Sequence, residues 1–355
     1  MRGIVFADET INVVDDLEVR DIRPDEVRVR IMAAGVCHSD VSVVDGTIPF
    51  PTPVVLGHEG AGVVEQVGDG VSHVAVGDHV VLSTLGNCGA CAACDSGKPT
   101  HCRTSFGKLS RPFTWQDRKT FQFANTGVFS EATVVKGRQA VPISKEVPWA
   151  SASLIGCGVL TGVGAVLNRA RVGQGESALV VGIGGIGLNV ISGLALVGAH
   201  PVIAVDTNPA KESIAREFGA THFIDASATD TAEAVKEITP NGVDFAFECV
   251  GHPAIIRQSI DLLDWGGTAV ILGVPKLGTE ASFVVQGMYN DKTIMGCRYG
   301  ASRPHLDIPR YVELYQAGRL KLDELVTKTY PMADVQQTLD DLHAGTLARG
   351  VLEIG

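Results

Sequence analysis

Between about residue 159 and residue 298, short apolar segments alternate with stretches of helical character, and this alternation limits the possible folds more than any other feature. The apolar segments read SALVVG, PVIAVD, THFID, VDFAFECV and TAVILGV. Strands that are almost wholly apolar suit a parallel sheet that is covered by helices on both faces. The sequence therefore predicts an α/β fold with a doubly wound parallel sheet in this part of the chain.

A glycine motif follows the first of these strands. The segment VVGIGGIGLNVI contains G-x-G-x-x-G, and the predicted contact residues in it are Gly182, Gly184, Gly185, Ile186 and Gly187. Gly182 permits a tight turn, Gly184 lets the backbone approach a pyrophosphate, and Gly187 allows the helix to pack closely on the strand. Free N–H groups at the start of the helix then face the phosphates. The motif and its context predict a dinucleotide site.

The second strand ends at an acidic residue, Asp206, nineteen residues after Gly187. A carboxylate at this place can accept hydrogen bonds from both hydroxyls of a ribose. It would also repel a 2′-phosphate, because the two groups carry charges of the same sign. The sequence therefore predicts NAD rather than NADP as the cofactor.

The segments on either side have a different character. Residues 1 to about 158 contain short β segments broken by turn residues, among them EVRVRIMAAGVC, GAGVVEQVG and DHVVLST. The tail from about residue 299 contains a helix-like segment, ADVQQTLDDLHAG, and a short strand, GVLEIG. We therefore predict a mainly β domain of residues 1–158 and 299–355, with a nucleotide-binding domain of residues 159–298 inserted into it.

A group of four cysteines lies in the first domain. The segment GNCGACAACDSGKPTHC has the spacing C-x2-C-x2-C-x7-C, and its cysteines are Cys88, Cys91, Cys94 and Cys102. Four thiolates from one short loop can close around a tetrahedral metal, and zinc suits four sulfurs best. An iron–sulfur cluster is the alternative, because ferredoxin-type sites use similar groups of cysteine.

A second set of metal-type ligands consists of Cys37, His58 and Cys157. They stand in GVCHSD, GHEG and GCGVLTG, each flanked by glycine. Two cysteines and one histidine leave the fourth position of a tetrahedral zinc open, which a catalytic zinc requires. The sequence thus indicates a closed metal site and an open one in the same chain.

With these motifs the chain resembles, essentially from end to end, the zinc-dependent alcohol dehydrogenases of the medium-chain dehydrogenase/reductase superfamily. The resemblance implies a Rossmann domain inserted in a GroES-like catalytic domain, two zinc ions per subunit and NAD. It implies that Cys37, His58 and Cys157 bind the catalytic zinc and that the four-cysteine group binds the structural one. The implied reaction transfers a hydride between a small-molecule alcohol and NAD, giving an aldehyde or ketone.

The resemblance also implies roles for side chains around these ligands. Asp40 would orient the zinc-bound imidazole, and Glu59 would approach the metal transiently. Ser39 would accept the alcohol proton and pass it along the ribose hydroxyl towards solvent. Contacts with the nicotinamide nucleotide are implied for several further positions, namely His38, Thr161, Lys211, Leu272, Val274 and Arg349.

Three positions depart from the pattern of the family. Ser42 replaces a histidine that ends the proton relay, so the relay is expected to finish in water. His38 replaces an arginine at the pyrophosphate, so NAD affinity is expected to fall as its imidazole loses charge with rising pH. Thr84 replaces an aromatic residue in the wall of the alcohol pocket and leaves more room, which favours a bulky or aromatic alcohol.

The segment from Ser105 to Phe129 is rich in aromatic residues. These are Phe106, Phe113, Trp115, Phe121, Phe123 and Phe129. Packing within the zinc-binding lobe is the expected role, and lining a substrate channel is the alternative.

The charge and composition of the chain disfavour several partners. The formal net charge of −11 disfavours nucleic acid and anionic membranes. No apolar run reaches the ~18 residues that span a bilayer, and the opening segment MRGIVFADETINVVDD contains no apolar signal core. The eight cysteines are not spaced as a disulfide framework, so a reducing cytoplasm is the expected location. The family resemblance implies a homodimer or a homotetramer.

Two other functions remain open. A thiol–formaldehyde adduct could be the substrate, as in some relatives, and this would require cations for an anionic thiol cofactor. Candidates for those cations are Arg103, Lys108, Arg111 and Lys119. The chain could also be a non-catalytic nucleotide-binding relative, although the intact ligands Cys37, His58 and Cys157 argue against that function.

Overall fold

The computed structural model describes residues 1–104, 107–345 and 347–355. The chain forms two compact units. The first consists of residues 1–158 and 303–355, and the second of residues 159–302. The sequence predicts the return to the first unit at residue 299, four residues before the return seen in the structure.

The first unit is built mainly from short strands. Its first part contains β1 (Gly3–Ala7), β2 (Thr10–Val14), β3 (Glu18–Val19), β4 (Glu26–Val36), α1 (His38–Val44), β5 (Val54–Val55), β6 (Glu59–Val67), β7 (His79–Leu82), α2 (Ala92–Asp95), β8 (Phe113–Trp115), β9 (Arg118–Gln122), β10 (Ala132–Lys136), β11 (Ala140–Pro142) and α3 (Trp149–Ser153). The strands β1, β2, β3, β5, β8 and β9 form one sheet, in the order β2-β1-β5-β9-β8-β3.

The second unit alternates strands and helices. It begins with α4 (Gly158–Gly164), which continues as a π-helix to Ala170, and then contains β12 (Ala178–Val181), α5 (Gly185–Val197), β13 (Val202–Asp206), α6 (Glu212–Phe218), β14 (His222–Asp225), α7 (Thr231–Ile238), β15 (Val243–Glu248), α8 (Pro253–Asp261), β16 (Leu263–Ile271) and β17 (Thr293–Gly296). The chain then returns to the first unit and adds α9 (Pro304–Gln316), β18 (Val326–Pro331), α10 (Val335–His343) and β19 (Arg349–Glu353).

A larger sheet of the first unit combines strands from both parts of the chain. Its order is β11-β7-β6-β4-β19-β18, with β10 also paired to β4. The long strand β4 therefore lies between β6 and the last strand, β19. Its apolar side chains, including Val29 and Ile31, are fully buried in the core of the unit. This arrangement determines which residues meet at the end of β4.

The second unit contains one parallel sheet with the order β14-β13-β12-β15-β16-β17. The strands β12 and β13 are buried along their whole length, as expected for a sheet covered on both faces. The predicted doubly wound fold is confirmed. The apolar segments of the sequence predict the first five strands but not the edge strand β17, which is short and only partly buried.

Among the described residues, no single helix has both the length and the apolar composition needed to cross a membrane. One pair of consecutive shorter helices, Trp149–Gly156 and Gly158–Ala170, meets that test only when the two are taken together.

Candidate active site

The end of β4 and the start of β6 bring three ligand-type side chains together. The two strands are antiparallel, and Gly35 near the end of β4 pairs with Glu59 at the start of β6. Cys37, just after β4, therefore lies beside His58, just before β6. The ligand atoms of Cys37, His58 and Glu59 lie within 4.8 Å of one another, and all three residues are buried. Buried polar groups of this kind need a cation or a metal to offset their desolvation.

Cys157 joins this cluster from the end of the first unit. Its buried thiol interacts with Cys37 and with His58. The hydrogen bond with Cys157 lowers the pKa of Cys37 well below its usual range, and the charges of Arg349 and His58 act in the same direction. The thiolate is the form of cysteine that binds zinc. The structure thus brings the three predicted ligands of the open metal site together, with Glu59 beside them.

Asp40 contacts both His58 and the backbone of Cys37. Oδ1 of Asp40 lies 3.2 Å from Nδ1 of His58 and also accepts a hydrogen bond from the N–H of Gly57. Oδ2 accepts a hydrogen bond from the N–H of Cys37 at 3.1 Å. The Asp40 side chain is fully buried, so these contacts are not exchanged with water. A proton on Nδ1 of His58 leaves Nε2 with a lone pair, the state that a zinc ligand requires.

Glu59 is paired with an arginine from the last strand. Nη2 of Arg349, at the start of β19, lies 3.2 Å from Oε1 of Glu59, and both side chains are buried. Burial raises the pKa of Glu59 to about 7, although the charge of Arg349 acts against the shift. Oε2 of Glu59 has no hydrogen-bond partner in the part of the chain that the structure describes. An unpartnered buried carboxylate oxygen beside two sulfurs and an imidazole fits the coordination of a divalent cation such as zinc.

The start of α1 carries the residues predicted for the proton relay. Oγ of Ser39 lies 4.0 Å from Sγ of Cys37, within reach of a molecule bound at the cluster. His38 is exposed at the first position of α1 and Ser42 is half-buried on the same helix. The roles of Ser39 and His38 remain predictions.

The four-cysteine group forms the compact site that its spacing predicts. The sulfur atoms of Cys88, Cys91, Cys94 and Cys102 lie within 4.8 Å of one another. Two N–H donors point to this sulfur cluster, from the backbone of Cys88 to Sγ of Cys102 and from the side chain of Asn87 to Sγ of Cys94. Such hydrogen bonds stabilise thiolates, and four thiolates in one loop fit a closed tetrahedral zinc site.

The glycine motif of the second unit leaves space where a dinucleotide needs it. Gly182 has a φ of +92°, which L side chains rarely adopt. A Cβ at Gly187 would collide with the carbonyl oxygen of Gly182, so close packing requires glycine there. A Cβ at Gly184 would meet nothing within 4 Å, which leaves open space directly in front of α5. Space at the N-terminus of a helix fits a pyrophosphate.

Asp206 is the last residue of β13 and lies at the same end of the parallel sheet as the glycine turn. Its Oδ2 accepts hydrogen bonds from the N–H of Ile183 at 2.8 Å and from Nζ of Lys211 at 3.0 Å. Its Oδ1 accepts one from the N–H of Asn208 at 3.0 Å. The carboxylate is therefore held beside the glycine turn, and Lys211 is held beside the carboxylate. The structure brings both predicted cofactor residues together.

Comparison with known proteins adds an independent line of evidence. A family model described as alcohol dehydrogenase GroES-like domain matches residues 23–145, and one described as zinc-binding dehydrogenase matches residues 185–317. The two models together cover more than half of the chain. The chain belongs to the zinc-dependent alcohol dehydrogenases of the medium-chain superfamily.

Several relatives match this dehydrogenase over nearly its whole length. An S-(hydroxymethyl)glutathione dehydrogenase of Synechocystis is 37% identical and an alcohol dehydrogenase class-3 of Myxine glutinosa is 36% identical. These matches cover 95% and 96% of this chain and 95% and 94% of the relatives. The crystal structure of benzyl alcohol dehydrogenase from Acinetobacter calcoaceticus is similar with a TM-score of 0.94 at 34% identity, covering 100% of this chain and 99% of the other.

The comparisons and the geometry confirm several predictions for this dehydrogenase. It combines a GroES-like unit with a Rossmann unit. It is an oxidoreductase of the alcohol dehydrogenase type, with zinc and NAD as cofactors. The donor sets of the two clusters, one with four sulfurs and one with sulfur, nitrogen and oxygen, fit one structural and one catalytic zinc.

Three further predicted cofactor residues lie in the second unit. Thr161 on α4 and Leu272 after β16 are buried, whereas Val274 is 63% exposed. Their contacts with the nicotinamide nucleotide remain predictions, as does the contact predicted for Arg349, whose guanidinium is paired with Glu59.

Glu248, a fully buried carboxylate at the end of β15, is not among the residues that the sequence predicts for the site. Its Oε1 accepts hydrogen bonds from the N–H groups of Val250 at 2.9 Å and Gly251 at 2.7 Å. Glu248 is opposite Val181, the last residue of β12, so it lies next to the glycine turn. The available signal was an acid at the end of an apolar strand, the same signal that pointed to Asp206.

The aromatic residues of the first unit fall into two groups. Phe113, Trp115 and Phe129 are buried in its core. Phe123 contacts the ring of His58 edge-on, with the ring centroids 5.2 Å apart, and Phe121 is half-buried. Phe106 lies outside the described residues.

Proposed function

We propose that the cluster of Cys37, His58 and Cys157 is the catalytic centre and that the four-cysteine group holds the structural zinc. The observation that supports this assignment is the contact between His58 and Asp40. Asp40 accepts a hydrogen bond from one ring nitrogen of His58, so the other can act as a ligand. Among the described residues, the four-cysteine group presents only sulfur donors, which suits a closed site.

Zinc and NAD supply the reactive chemistry when they are bound: the metal lowers the pKa of an alcohol, and the nicotinamide accepts a hydride. The chain positions the groups around them. Ser39, whose Oγ lies 4.0 Å from Sγ of Cys37, would act as a relay: it accepts the alcohol proton while its own hydroxyl proton passes on along the ribose hydroxyl towards solvent. Ser42 has no ionisable group, so the proton leaves to water rather than to a histidine.

Glu59 and Arg349 set the charge around the cluster. The buried carboxylate and guanidinium form a close ion pair, so together they add no net charge. Two thiolates then balance the charge of a divalent metal. We infer that this pair allows Glu59 to lie beside the ligands without an uncompensated buried charge, which would otherwise cost several kcal/mol.

We infer that the alcohol is bulky or aromatic. Thr84 is 7% exposed, and its hydroxyl has no hydrogen-bond partner among the described residues. A small side chain at a position where many family members have an aromatic leaves room in the alcohol pocket. The similar structure named benzyl alcohol dehydrogenase is consistent with that inference.

Replacement of Thr84 by phenylalanine tests the substrate class. We expect the wild type to have a higher kcat/KM for benzyl alcohol than for ethanol, and Thr84→Phe to lower the value for benzyl alcohol by about tenfold or more. The kcat/KM for ethanol should be nearly unchanged in this variant. Initial rates of NADH formation measure both, and Thr84→Ser, which keeps the hydroxyl, is the matched control. If Thr84→Phe lowered kcat/KM equally for benzyl alcohol and ethanol, Thr84 would not lie in the wall of the alcohol pocket.

Oxidation of a thiol–formaldehyde adduct is a second candidate. Relatives at 35–37% identity carry the name S-(hydroxymethyl)glutathione dehydrogenase. The structural observation in its favour is a group of cations in the first unit, which consists of Arg20, Arg23, Arg111 and Lys119. Turnover of S-(hydroxymethyl)glutathione, measured in the same assay, decides between the two substrates by the ratio of kcat/KM values.

We infer that the protein assembles with itself through the edge of the parallel sheet. Within the described part of the second unit, β17 pairs only with β16, so one of its edges is open. Nearby apolar side chains are unusually exposed, with Leu277 at 87%, Val285 at 74% and Tyr289 at 92%. Open strand edges and exposed apolar patches are both typical of interfaces.

The test of this assembly is the mass in solution. Sedimentation equilibrium at micromolar concentration should give the mass of two or four chains. Val285→Asp should shift the mass towards one chain, because a buried unpaired charge at an interface costs several kcal/mol. A wild type that sediments as a single chain would rule the assembly out.

We infer a cytoplasmic location from the state of the cysteines. All eight are free thiols, and six of them belong to the two proposed zinc sites. Oxidation would remove these ligands, so a reducing compartment suits the protein. Recovery of the active protein only from an oxidising compartment in fractionated cells would contradict this location.

A further inference from the structure

The buried carboxylate of Glu248 lies at the place where the strand order of the parallel sheet reverses. The order is β14-β13-β12-β15-β16-β17, so the chain runs outward from β12 to β14 and then outward on the other side from β15 to β17. In open parallel sheets a ligand binds outside the carboxyl ends of the strands at such a reversal. Glu248 ends β15 and is opposite Val181, the last residue of β12.

Asp206 and the glycine turn account for only one half of a dinucleotide. Asp206 ends β13, and the glycine turn follows β12. With one ribose at Asp206 and the pyrophosphate at the glycine turn, the second nucleotide extends to the other side of β12, over the ends of β15 and β16. We call the segments that follow these two strands the β15 loop (residues 249–252) and the β16 loop (residues 272–275).

Glu248 binds both of these loops. Its Oε1 accepts hydrogen bonds from the N–H groups of Val250 at 2.9 Å and Gly251 at 2.7 Å, in the β15 loop. Its main-chain carbonyl oxygen accepts hydrogen bonds from the N–H groups of Leu272 at 2.8 Å and Gly273 at 3.0 Å, in the β16 loop. One residue therefore determines the backbone position of both loops.

The two loops also pack closely on each other and on the glycine turn. Gly251 has a φ of +85°, and a Cβ there would lie 3.0 Å from the carbonyl carbon of Val274. A Cβ at Gly273 would collide with the backbone nitrogen of Gly251. A Cβ at Gly182, in the glycine turn, would lie 2.7 Å from Cγ2 of Val250. A shift of the β15 loop would therefore disturb both of its neighbours.

Each loop presents an apolar side chain to solvent. Val250 in the β15 loop is 50% exposed, and Val274 in the β16 loop is 63% exposed. A flat ring that covers such side chains removes apolar surface from water, which is favourable. This surface suits the nicotinamide half of a dinucleotide better than it suits a phosphate.

The burial of Glu248 is unfavourable by itself. The side chain is fully buried, and its Oε2 has no hydrogen-bond partner among the described residues. A buried carboxyl group loses its hydration, so an apolar residue would be the better choice for packing alone. Burial raises the pKa of Glu248, and four backbone N–H groups act against the shift, those of Gly251, Val250, His252 and Gly273. These N–H groups are what the side chain is placed to bind.

We infer that Glu248 is a positioning residue for the cofactor, which fixes the β15 loop and the β16 loop in the conformation that receives the nicotinamide half of NAD. It acts through backbone hydrogen bonds, because its own side chain is too deeply buried to touch a ligand. The inference rests on NAD as the cofactor. It depends neither on the alcohol that is oxidised nor on the cluster that holds the catalytic zinc.

Calorimetric titration of the zinc-loaded protein with NAD, and separately with AMP, tests this role. AMP contains only the adenosine half of the cofactor, which Asp206 would bind. Glu248→Ala removes the acceptor of two loop hydrogen bonds, so the Kd of NAD should rise at least about tenfold. The Kd of AMP should stay within about twofold of the wild type, because β13 lies two strands away.

Two further variants separate loop position from charge. Glu248→Gln keeps an acceptor oxygen without the charge, and its Kd for NAD should lie within about threefold of the wild-type value. Gly251→Ala shifts the β15 loop and leaves Glu248 in place, since a Cβ would press on Val274. It should weaken binding of NAD and not of AMP. If Glu248→Ala does not fold, this variant decides the question.

The matched control is Asp244→Asn, at the opposite end of the same strand. The Asp244 carboxylate accepts hydrogen bonds from the backbone and the hydroxyl of Ser177. The control should bind NAD and AMP as the wild type does. The inference is overturned if Glu248→Ala binds NAD normally, if it loses AMP equally, if Glu248→Gln binds NAD as weakly as Glu248→Ala, or if the control loses as much affinity.

A rate measurement distinguishes this inference from the proposed function. With benzyl alcohol as substrate, Glu248→Ala should raise KM for NAD at least about tenfold, and its zinc content should stay at two ions per chain. If no alcohol yields NADH while NAD binding still follows the variants, the proposed function fails and the positioning role of Glu248 stands.

Discussion

Replacement of Cys157 by alanine is expected to lower alcohol-dependent NADH formation by about a thousandfold or more, because a metal acting as Lewis acid contributes several kcal/mol to the transition state. The Cys157 thiol interacts with both Cys37 and His58. Its removal leaves two of the three proposed ligands, too few to hold a catalytic zinc. The zinc content should therefore fall from two ions per chain to one.

Metal analysis and initial rates on the same preparation check this result. Cys297→Ala is the matched control, since Cys297 is a partly buried cysteine of the second unit that belongs to neither cluster. It should keep two zinc ions and full activity. The four-cysteine group is unchanged in both variants, so the thermal unfolding midpoint should change little. Full activity in Cys157→Ala with only the four-cysteine site occupied would refute the proposed catalytic centre.

The features that sequence predicts best are those encoded over short distances. The four-cysteine group spans fifteen residues, and its spacing alone predicts the compact cluster that the structure contains. The glycine motif is local in the same way, because turn, strand and helix follow directly on one another. The apolar strands from β12 to β16 are also recognisable, because burial on both faces removes polar residues from each of them.

The features that sequence could not predict depend on the register of distant strands. Arg349 meets Glu59 because β4 pairs with β6 on one side and with β19 on the other. The two residues are separated by 290 positions, and neither has a local pattern that indicates its partner. The group of cations in the first unit has the same origin, since Arg20 and Arg111 line the same pocket because β3 pairs with β8. Pairing of this kind follows from the whole sheet rather than from one segment.

The metal ligands lie between these two cases. Cys37 and His58 each stand in a short glycine-flanked segment, so their chemistry is visible in the sequence. Their proximity requires the antiparallel pairing of β4 and β6, and the position of Cys157 requires the chain to return to the same place 99 residues after His58. Family resemblance supplied that long-range information, which residue patterns alone do not contain.

Replacement of Asp206 by asparagine is expected to change the cofactor preference from NAD towards NADP. The amide keeps the shape of the side chain but loses the charge that attracts ribose hydroxyls and repels a 2′-phosphate. It also weakens the contact with Lys211, now 3.0 Å from Oδ2, and frees that ammonium group for a phosphate. We expect kcat/KM to fall about tenfold to a hundredfold with NAD and to rise about tenfold with NADP.

The matched control is Asp225→Asn, because Asp225 ends the neighbouring strand β14 and is directly opposite Asp206 in the sheet. Its carboxylate is bonded to Ser227 and lies one strand further from the glycine turn. Initial rates with each cofactor should therefore be unchanged in this variant. If Asp206→Asn keeps its preference for NAD, or if Asp225→Asn alters the preference equally, the ribose is recognised elsewhere. If the cofactor preference depended only on negative charge at the carboxyl end of the sheet, it would change in both variants. If Asp206 contacts the ribose, the preference will change only in Asp206→Asn, on the strand beside the glycine turn.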